Sequence, residues 1–389
     1  MQQINNQPYE PREDSFLIQK HIKDYAKGDV LDMCTGSGIL ASEASKYANN
    51  VIAVDINQKA LKLAKKNTKN IDNIIVKFSN TFSTIHGEFD LIICNPPYLQ
   101  ADKKAPDLAL DGGKHGYEFT VEFLKQADKF LKPDGKILLL FSSLTQKEKI
   151  DSTITELLYN FKQLDSKKLD FEQLYVYLIE RTTVLKKLKK IVVNNISYLD
   201  KGTRGIVYQG NFNKRKVAIK IAKERAELID VLKKEAKWLR ILEKYHFAPK
   251  VIMLTDEILL LELIEGKKIF DFLESASREV TLAVIKELFA IVYRLDELGI
   301  NKEEMHHPLK HIIVQSNNKP RLIDYERASY TENPKNLTQF CQFISSGNVS
   351  ELLQNKNIII QKQQIIDLAR QYKKENRNIV YKQIITLFS

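Results

Sequence analysis

Gly28-Asp29-Val30-Leu31-Asp32-Met33-Cys34-Thr35-Gly36-Ser37-Gly38 and Phe89-Asp90-Leu91-Ile92-Ile93-Cys94-Asn95-Pro96-Pro97-Tyr98 decide the fold. Each is a short apolar run that ends in residues suited to a tight turn, which is how a buried strand reads. A helix is expected from Gly38 to about Tyr47. The strand VIAVDI (51–56) follows, and then a helix over Asn57–Asn67 with Ala60, Leu61 and Ala64 at helical spacing. Further strands are expected at 73–79, 89–95 and 135–142, and FEQLYVYLIER (171–181) reads as a late strand closing the sheet. Strand and helix alternating in this way predict an α/β fold, a mainly parallel sheet with helices on both faces.

The first run places Gly36 and Gly38 at a strand-to-helix turn, where glycine lets the backbone turn sharply and approach a ligand. A helix start presents free N–H groups suited to a carboxylate. Asp55 ends the next strand, where a carboxylate can accept from both hydroxyls of a ribose. The full G-x-G-x-x-G fingerprint is absent, because Ala41 stands at its last position. The second run ends in two prolines that fix the backbone and remove donors. The Asn95 side-chain oxygen and the Pro96 carbonyl can then accept from the two hydrogens of a planar NH2 group. Tyr98 can stack on its π-system. A delocalised amide or aryl nitrogen held this way becomes attack-ready toward a sulfonium methyl, largely through orientation.

Tyr9-Glu10-Pro11-Arg12-Glu13-Asp14-Ser15-Phe16-Leu17, DMCTGSG (32–38), VDIN (54–57), SNTF (79–82), NPPY (95–98) and ALDGGKHG (109–116) occur in an order that resembles the HemK-like methyltransferases, above all their short archaeal and eukaryotic branch. The resemblance covers roughly residues 7–180. It implies a class-I, Rossmann-like domain using S-adenosylmethionine, with Asp32, Gly36, Gly38 and Asp55 holding the cofactor and Asn80 reaching the adenine. It implies methylation of the glutamine in the GGQ loop of a peptide-chain release factor, with Asn95, Pro96 and Tyr98 at the acceptor. Only about 30 residues precede the glycine loop, so the helical recognition domain of bacterial members is expected to be absent. A small zinc-binding activator protein is the expected partner instead. NPPY is shared with adenine-N6 and cytosine-N4 methyltransferases, which leaves a nucleobase open as the acceptor.

After Arg181 the chain continues as a charged helical junction, Thr182-Thr183-Val184-Leu185-Lys186-Lys187-Leu188-Lys189-Lys190, and the pattern changes. Hairpin strands are expected at 197–202, 204–212, 214–222 and 257–265, with a helix near Leu228–Leu242, and the chain turns helical from about Phe270. This is an α+β order. The expected division is 1–182 and 183–389. Gly202 and Gly205 lie in a G-x-x-G-x-V spacing. Val217-Ala218-Ile219-Lys220 follows, then Glu235 on the predicted helix, Glu262-Leu263-Ile264-Glu265-Gly266, and Leu322-Ile323-Asp324-Tyr325-Glu326. In protein kinases a strand lysine, a helix glutamate and a metal-binding aspartate occur in this order.

The second half thus resembles small atypical archaeal kinases, near the RIO kinases and the kinase subunit of the KEOPS complex. The resemblance covers about residues 195–345 and implies a bilobal domain binding ATP and Mg²⁺. Gly202, Gly205, Lys220 and Glu235 would serve the nucleotide, and Asp324 the metal. His306 falls at the catalytic-base position and His311 at the second metal-ligand position, where an Asp and an Asn are usual. Histidine can act as a base near neutral pH, but Mg²⁺ prefers oxygen. A phosphotransferase or ATPase and a nucleotide-binding scaffold both fit this pattern.

The chain has 389 residues, three cysteines and a net charge of +11, made up of −1 over residues 1–182 and +12 over residues 183–389. The excess is densest between Lys186 and Lys250. It reads either as a solvated face or as a contact for RNA, a ribosomal particle or an acidic protein. No cysteine pair has CxxC spacing, and no apolar run approaches the roughly 20 residues of a membrane helix. A cytoplasmic protein without a disulfide framework is expected.

Overall fold

Residues 5–102, 105–201, 205–222 and 226–388 are described by the structure, a computed structural model. The chain divides into two compact units, Met1–Val192 and Val193–Ser389.

The first unit runs α1 (Glu13–Tyr25), β1 (Asp29–Met33), α2 (Ile39–Ala44), β2 (Asn50–Asp55), α3 (Gln58–Asn67), β3 (Ile74–Phe78), β4 (Phe89–Cys94), α4 (Glu118–Ala127), β5 (Leu131–Ser142), α5 (Lys147–Glu156), β6 (Tyr159–Lys168), β7 (Gln173–Arg181) and α6 (Thr183–Lys190). Its sheet has the order β3-β2-β1-β4-β5-β7-β6. Strands β1 to β5 are parallel, and β7 is antiparallel to both β5 and β6. This is the class-I, Rossmann-like fold expected. The chain leaves β1 toward β2 and returns through β4 on its other side, so a crevice opens where β1 and β4 end. Ligands bind at such a switch point in open α/β sheets. The central strands are buried on both faces, as Val30, Leu31, Ile92, Ile93, Leu138 and Leu139 show. They therefore read as apolar runs without alternation.

Two expectations need correction. FEQLYVYLIER does not close the sheet, because β6 pairs outside it. The β6 sequence YNFKQLDSKK is mostly solvent-facing, so it lacks the apolar signal of a strand. The helix α6 is not a junction between the units but part of the first. Thr182 caps it by accepting from Leu185 N–H, and Leu185 and Leu188 are buried. Lys186 and Lys189 pair with Asp134 and Asp128, both at 2.6 Å. The division therefore falls after this helix rather than before it.

The second unit runs β8 (Asn194–Lys201), β9 (Gly205–Phe212), β10 (Arg215–Ala222), α7 (Ala226–Leu242), β11 (Val251–Leu254), β12 (Ile258–Glu262), β13 (Lys267–Lys268), α8 (Ile269–Ser275), α9 (Arg278–Glu297), β14 (Ile300–Asn301), β15 (Ile312–Val314), β16 (Pro320–Leu322), β17 (Ser329–Tyr330), α10 (Asn336–Ile344), α11 (Gly347–Gln354), α12 (Lys362–Gln371) and α13 (Arg377–Thr386). An antiparallel sheet of order β11-β12-β10-β9-β8 precedes the mainly helical remainder. Leu232, Ala236, Leu239 and Leu242 of α7 and Leu259 and Leu261 of β12 share one core with α9 and α10.

Candidate functional site

A cavity of about 320 Å³ lies at the β1/β4 switch point and is lined by Gly36, Asp55, Asn80, Asn95, Pro96 and Tyr98, among others. Asp32 is buried beneath it rather than lining it. Its Oδ2 accepts from Thr35 Oγ1 (2.5 Å) and Ala41 N–H (3.1 Å), so it shapes the turn from within. Burial pushes its carboxyl up to about 7, against the pull of those two hydrogen bonds. Gly36 and Gly38 are both left-handed, with φ of 53° and 83°. A Cβ at Gly38 would come within 3.3 Å of Ala64 on α3, so this glycine serves helix packing.

Asp55 receives the N–H groups of Gly36 (2.9 Å) and Asn57 (2.8 Å), one on each oxygen. Each oxygen keeps a lone pair for a ribose hydroxyl. Burial raises its pKa, opposed by these bonds. The Gly36 and Gly38 N–H groups are themselves used, the latter by Thr35 O at 2.8 Å. They are not free for a cofactor carboxylate, as the helix-start argument had expected. Asn80 is exposed on the rim, its own N–H bonded to Ser83 Oγ at 3.1 Å.

Asn95 follows β4 directly. Its Nδ2 donates to Asp14 Oδ2 at 3.0 Å, whereas its Oδ1 is buried with no hydrogen-bond partner among the described residues. An unpaired buried acceptor costs free energy, about 1–3 kcal/mol, unless a ligand completes it. Pro96 is buried and Tyr98 half-buried; burial, with Asp14 nearby, raises the Tyr98 pKa. The ALDGGKHG segment lies against this turn through backbone bonds Leu99 N–H to Leu110 O and Gly112 N–H to Leu99 O, both 2.8 Å. A Cβ at Gly112 would lie 2.7 Å from Pro97 O, and one at Gly116 would lie 2.6 Å from Tyr98 O. Glycine is therefore required for the two segments to touch. Tyr9 and Asp14 also line the cavity. Sequence reasoning gave them no role, although both stand in the quoted Tyr9–Leu17 motif.

In the second unit, Lys220 Nζ on β10 lies 2.7 and 2.8 Å from the two oxygens of Glu235 on α7 and 3.2 Å from Asp324 Oδ1. Burial lowers the Lys220 pKa, but Glu235 and Asp324 outweigh it and the net shift is upward. Burial would raise Asp324, and Lys220 and Lys302 override it to hold the carboxyl below its usual value. Lys302 was missed: it is buried, donates to Asp324 O at 2.9 Å and lies over the Tyr325 ring. Burial lowers its ammonium to about 8.

His311 Nε2 stands 3.7 Å from Asp324 Oδ2, and its Nδ1 stands 3.7 Å from Glu304 Oε2. Burial and then Lys302 lower its pKa, so the ring is neutral near pH 7. Glu304, also missed, pairs with Arg327. His306, the expected base, is exposed, and no hydrogen bond or ion pair ties it to Lys220, Glu235 or Asp324 among the described residues. Among those residues no three His, Cys, Asp or Glu side chains form a preformed metal centre. An oxygen-seeking Mg²⁺ would find Asp324, with His311 supplying only nitrogen. Gly205 opens β9 opposite Ala222, and Gly202 lies outside the described residues. No helix among the described residues is long and apolar enough to cross a membrane.

Residues 13–171 match the methyltransferase small domain family. A chain of Methanocaldococcus jannaschii named as a putative protein N5-glutamine methyltransferase is 36% identical over 181 residues, covering 44% of this chain and 91% of that one. The release factor glutamine methyltransferase of Borreliella burgdorferi is 38% identical over 138 residues, covering 32% of this chain and 47% of that one. The chain thus spans about half the length of the latter. A solved Mtq2–Trm112 complex of E. cuniculi, described as methylating the termination factor eRF1, matches at 22% identity and a TM-score of 0.38, over 45% of this chain and 99% of that one. Through its first unit, the chain belongs to the HemK-like, S-adenosylmethionine-dependent protein N5-glutamine methyltransferases.

Proposed function

We propose that the first unit transfers the methyl group of S-adenosylmethionine to the side-chain amide of the GGQ glutamine of a peptide-chain release factor. The observation that carries this reading is the buried, unpartnered Oδ1 of Asn95 in a residue lining the cavity. An amide NH2 supplies the N–H that this oxygen lacks, and Pro96 offers a second acceptor. Gly36 and Asp55 bind the cofactor and Asn80 reaches its adenine. Relatives named for release-factor glutamine favour this acceptor over an adenine or cytosine amine.

A small zinc-binding activator protein is the proposed partner. Supporting it, β3 is an edge strand that leaves Ile75 61% and Phe78 43% exposed. Unpaired edges of this kind accept a partner strand. Labelled S-adenosylmethionine incubated with release factor, with and without the activator, tests both points. Equal labelling of a release factor whose GGQ glutamine is replaced would exclude that acceptor, and labelling of bulk RNA instead would favour the nucleobase reading.

For the second unit we infer an atypical kinase-like domain of residues 193–389 that binds ATP with a divalent cation. Lys220 serves the phosphates, Glu235 orients it and Asp324 meets the cation. The single supporting observation is the three-way contact of Lys220, Glu235 and Asp324. A rise in melting temperature with Mg-ATP, absent in Lys220→Ala, is expected, since a ligand that binds only the folded state stabilises it. No shift with ATP or GTP in the wild type would remove this reading. If nucleotide binds but no phosphate is released or transferred, the domain is a scaffold. The exposed Lys233, Lys234, Lys237 and Arg240 of α7 offer the surface for an RNA or ribosomal contact.

A further inference from the structure

Asp14 is the second residue of α1, 81 positions from Asn95 in sequence, and only 3% exposed. Its Oδ1 accepts from Ser15 N–H at 2.6 Å and from Ser15 Oγ at 3.3 Å. Its Oδ2 accepts from Asn95 Nδ2 at 3.0 Å. Burial and then the Asp14 charge raise the pKa of the neighbouring Tyr9 hydroxyl.

The chemistry of this pair fixes more than a distance. An ionised carboxylate can only accept hydrogen bonds, whereas a carboxamide presents a donor end and an acceptor end that differ little in shape. Asn95 must therefore turn its nitrogen to Asp14, which leaves Oδ1 as its free end. That oxygen has no partner among the described residues. Were the amide turned over, two carbonyl-type oxygens would face each other at Asp14. The Asn95 NH2 would then confront the N–H of the incoming acceptor, donor against donor.

We propose that Asp14 is a positioning residue for methyl transfer: by accepting from Asn95 Nδ2 it holds the amide in the one orientation whose oxygen can take the acceptor's N–H. The competing explanation is that Asp14 only stabilises the first turn of α1, where an acidic residue favours the helix dipole. The two differ in what Asp14→Asn does. Asparagine has the same shape but can donate, so it permits Asn95 in either orientation. Loss of a helix-end charge alone would leave turnover of the folded protein unchanged.

This inference rests on methyl transfer to a planar NH2, and its test separates its own failure from failure of the acceptor assignment. On the full-length chain with release factor and labelled S-adenosylmethionine, Asp14→Asn should lower kcat roughly 10- to 100-fold, the scale of a misplaced reacting group. Calorimetric affinity for S-adenosylmethionine should stay within about twofold, because the group acts on orientation rather than cofactor binding. The double variant with Asn95→Ala should be no slower than Asn95→Ala alone, since groups that act as one unit are not additive. Glu13→Gln, which removes the neighbouring first-turn charge, should leave kcat unchanged. Additive losses, an unchanged kcat in Asp14→Asn, or an equal loss in Glu13→Gln overturns the proposal.

If the wild type does not label release factor, the acceptor assignment falls and a second readout decides Asp14. The Asn95 side-chain amide protons, identified by their disappearance in Asn95→Ala, should exchange slowly in wild type and quickly in Asp14→Asn. Fast exchange in the wild type overturns the proposal, whether or not Asp14→Asn folds.

Discussion

Glu235 holds the Lys220 ammonium with both carboxylate oxygens and, through Oε1, also accepts the backbone N–H of Tyr325 at 3.1 Å. One buried carboxylate on α7 therefore joins the lysine of β10 to the segment that carries Asp324. Removing one member of a buried pair leaves the other charge uncompensated, at about 3–5 kcal/mol. Glu235→Ala should accordingly lower the denaturant midpoint of the second unit's transition and abolish any Mg-ATP stabilisation. An unchanged midpoint would show that the contact contributes nothing to the fold.

Asn95→Ala removes the free acceptor without touching the groups assigned to the cofactor. Methyl transfer should fall by at least about 100-fold at saturating S-adenosylmethionine, because one preorganised polar group is commonly worth that much. Cofactor affinity by calorimetry should hold. Asp55→Ala should do the reverse, weakening the cofactor first. Wild-type turnover in Asn95→Ala would remove the orientation argument altogether.

Asp32 gives the first unit a pH dependence of known sign. Burial raises its carboxyl from an ordinary 3.8 to about 7 in the folded chain. A raised folded pKa stabilises fully below the unfolded value and loses that contribution as pH rises through the folded one. The window is therefore about 4 to 7. Asp32→Asn stays neutral throughout. Melting of the first unit between pH 5 and 8 should consequently be flatter in the variant than in wild type; parallel curves would mean that Asp32 is ionised in the fold without penalty.

The legible parts of the molecule were those where a periodic apolar run meets a turn that only a few residue types can make. Strands β1, β2 and β4, the Gly36–Gly38 turn and Asn95–Tyr98 satisfy that condition. Edge strand β6 was hidden because its Lys162, Gln163, Lys167 and Lys168 side chains face water. The assignment of α6 depended on the burial of Leu185 and Leu188 and on Lys186 and Lys189 pairing with Asp134 and Asp128 far back in the sequence, which local charge cannot reveal. Asp14, Lys302 and Glu304 were missed for a related reason. Their significance lies in contacts with Asn95, Asp324 and His311 that only the folded chain makes. Kinase spacing alone pointed to His306, and spacing says nothing of exposure.

That last difference yields a prediction about the base in the second unit. A base must reach the proton it removes, and it must sit beside the nucleotide's phosphates. Glu304 lies 3.7 Å from His311, which lies 3.7 Å from Asp324; His306 is solvent-facing. If the second unit turns over ATP, Glu304→Gln, which keeps the shape and removes the basic oxygen, should lower that turnover by roughly 100-fold or more while nucleotide affinity is retained. His306→Ala should leave that turnover within about threefold. The opposite pair of results, a loss of that size in His306→Ala and none in Glu304→Gln, would return the role of base to His306.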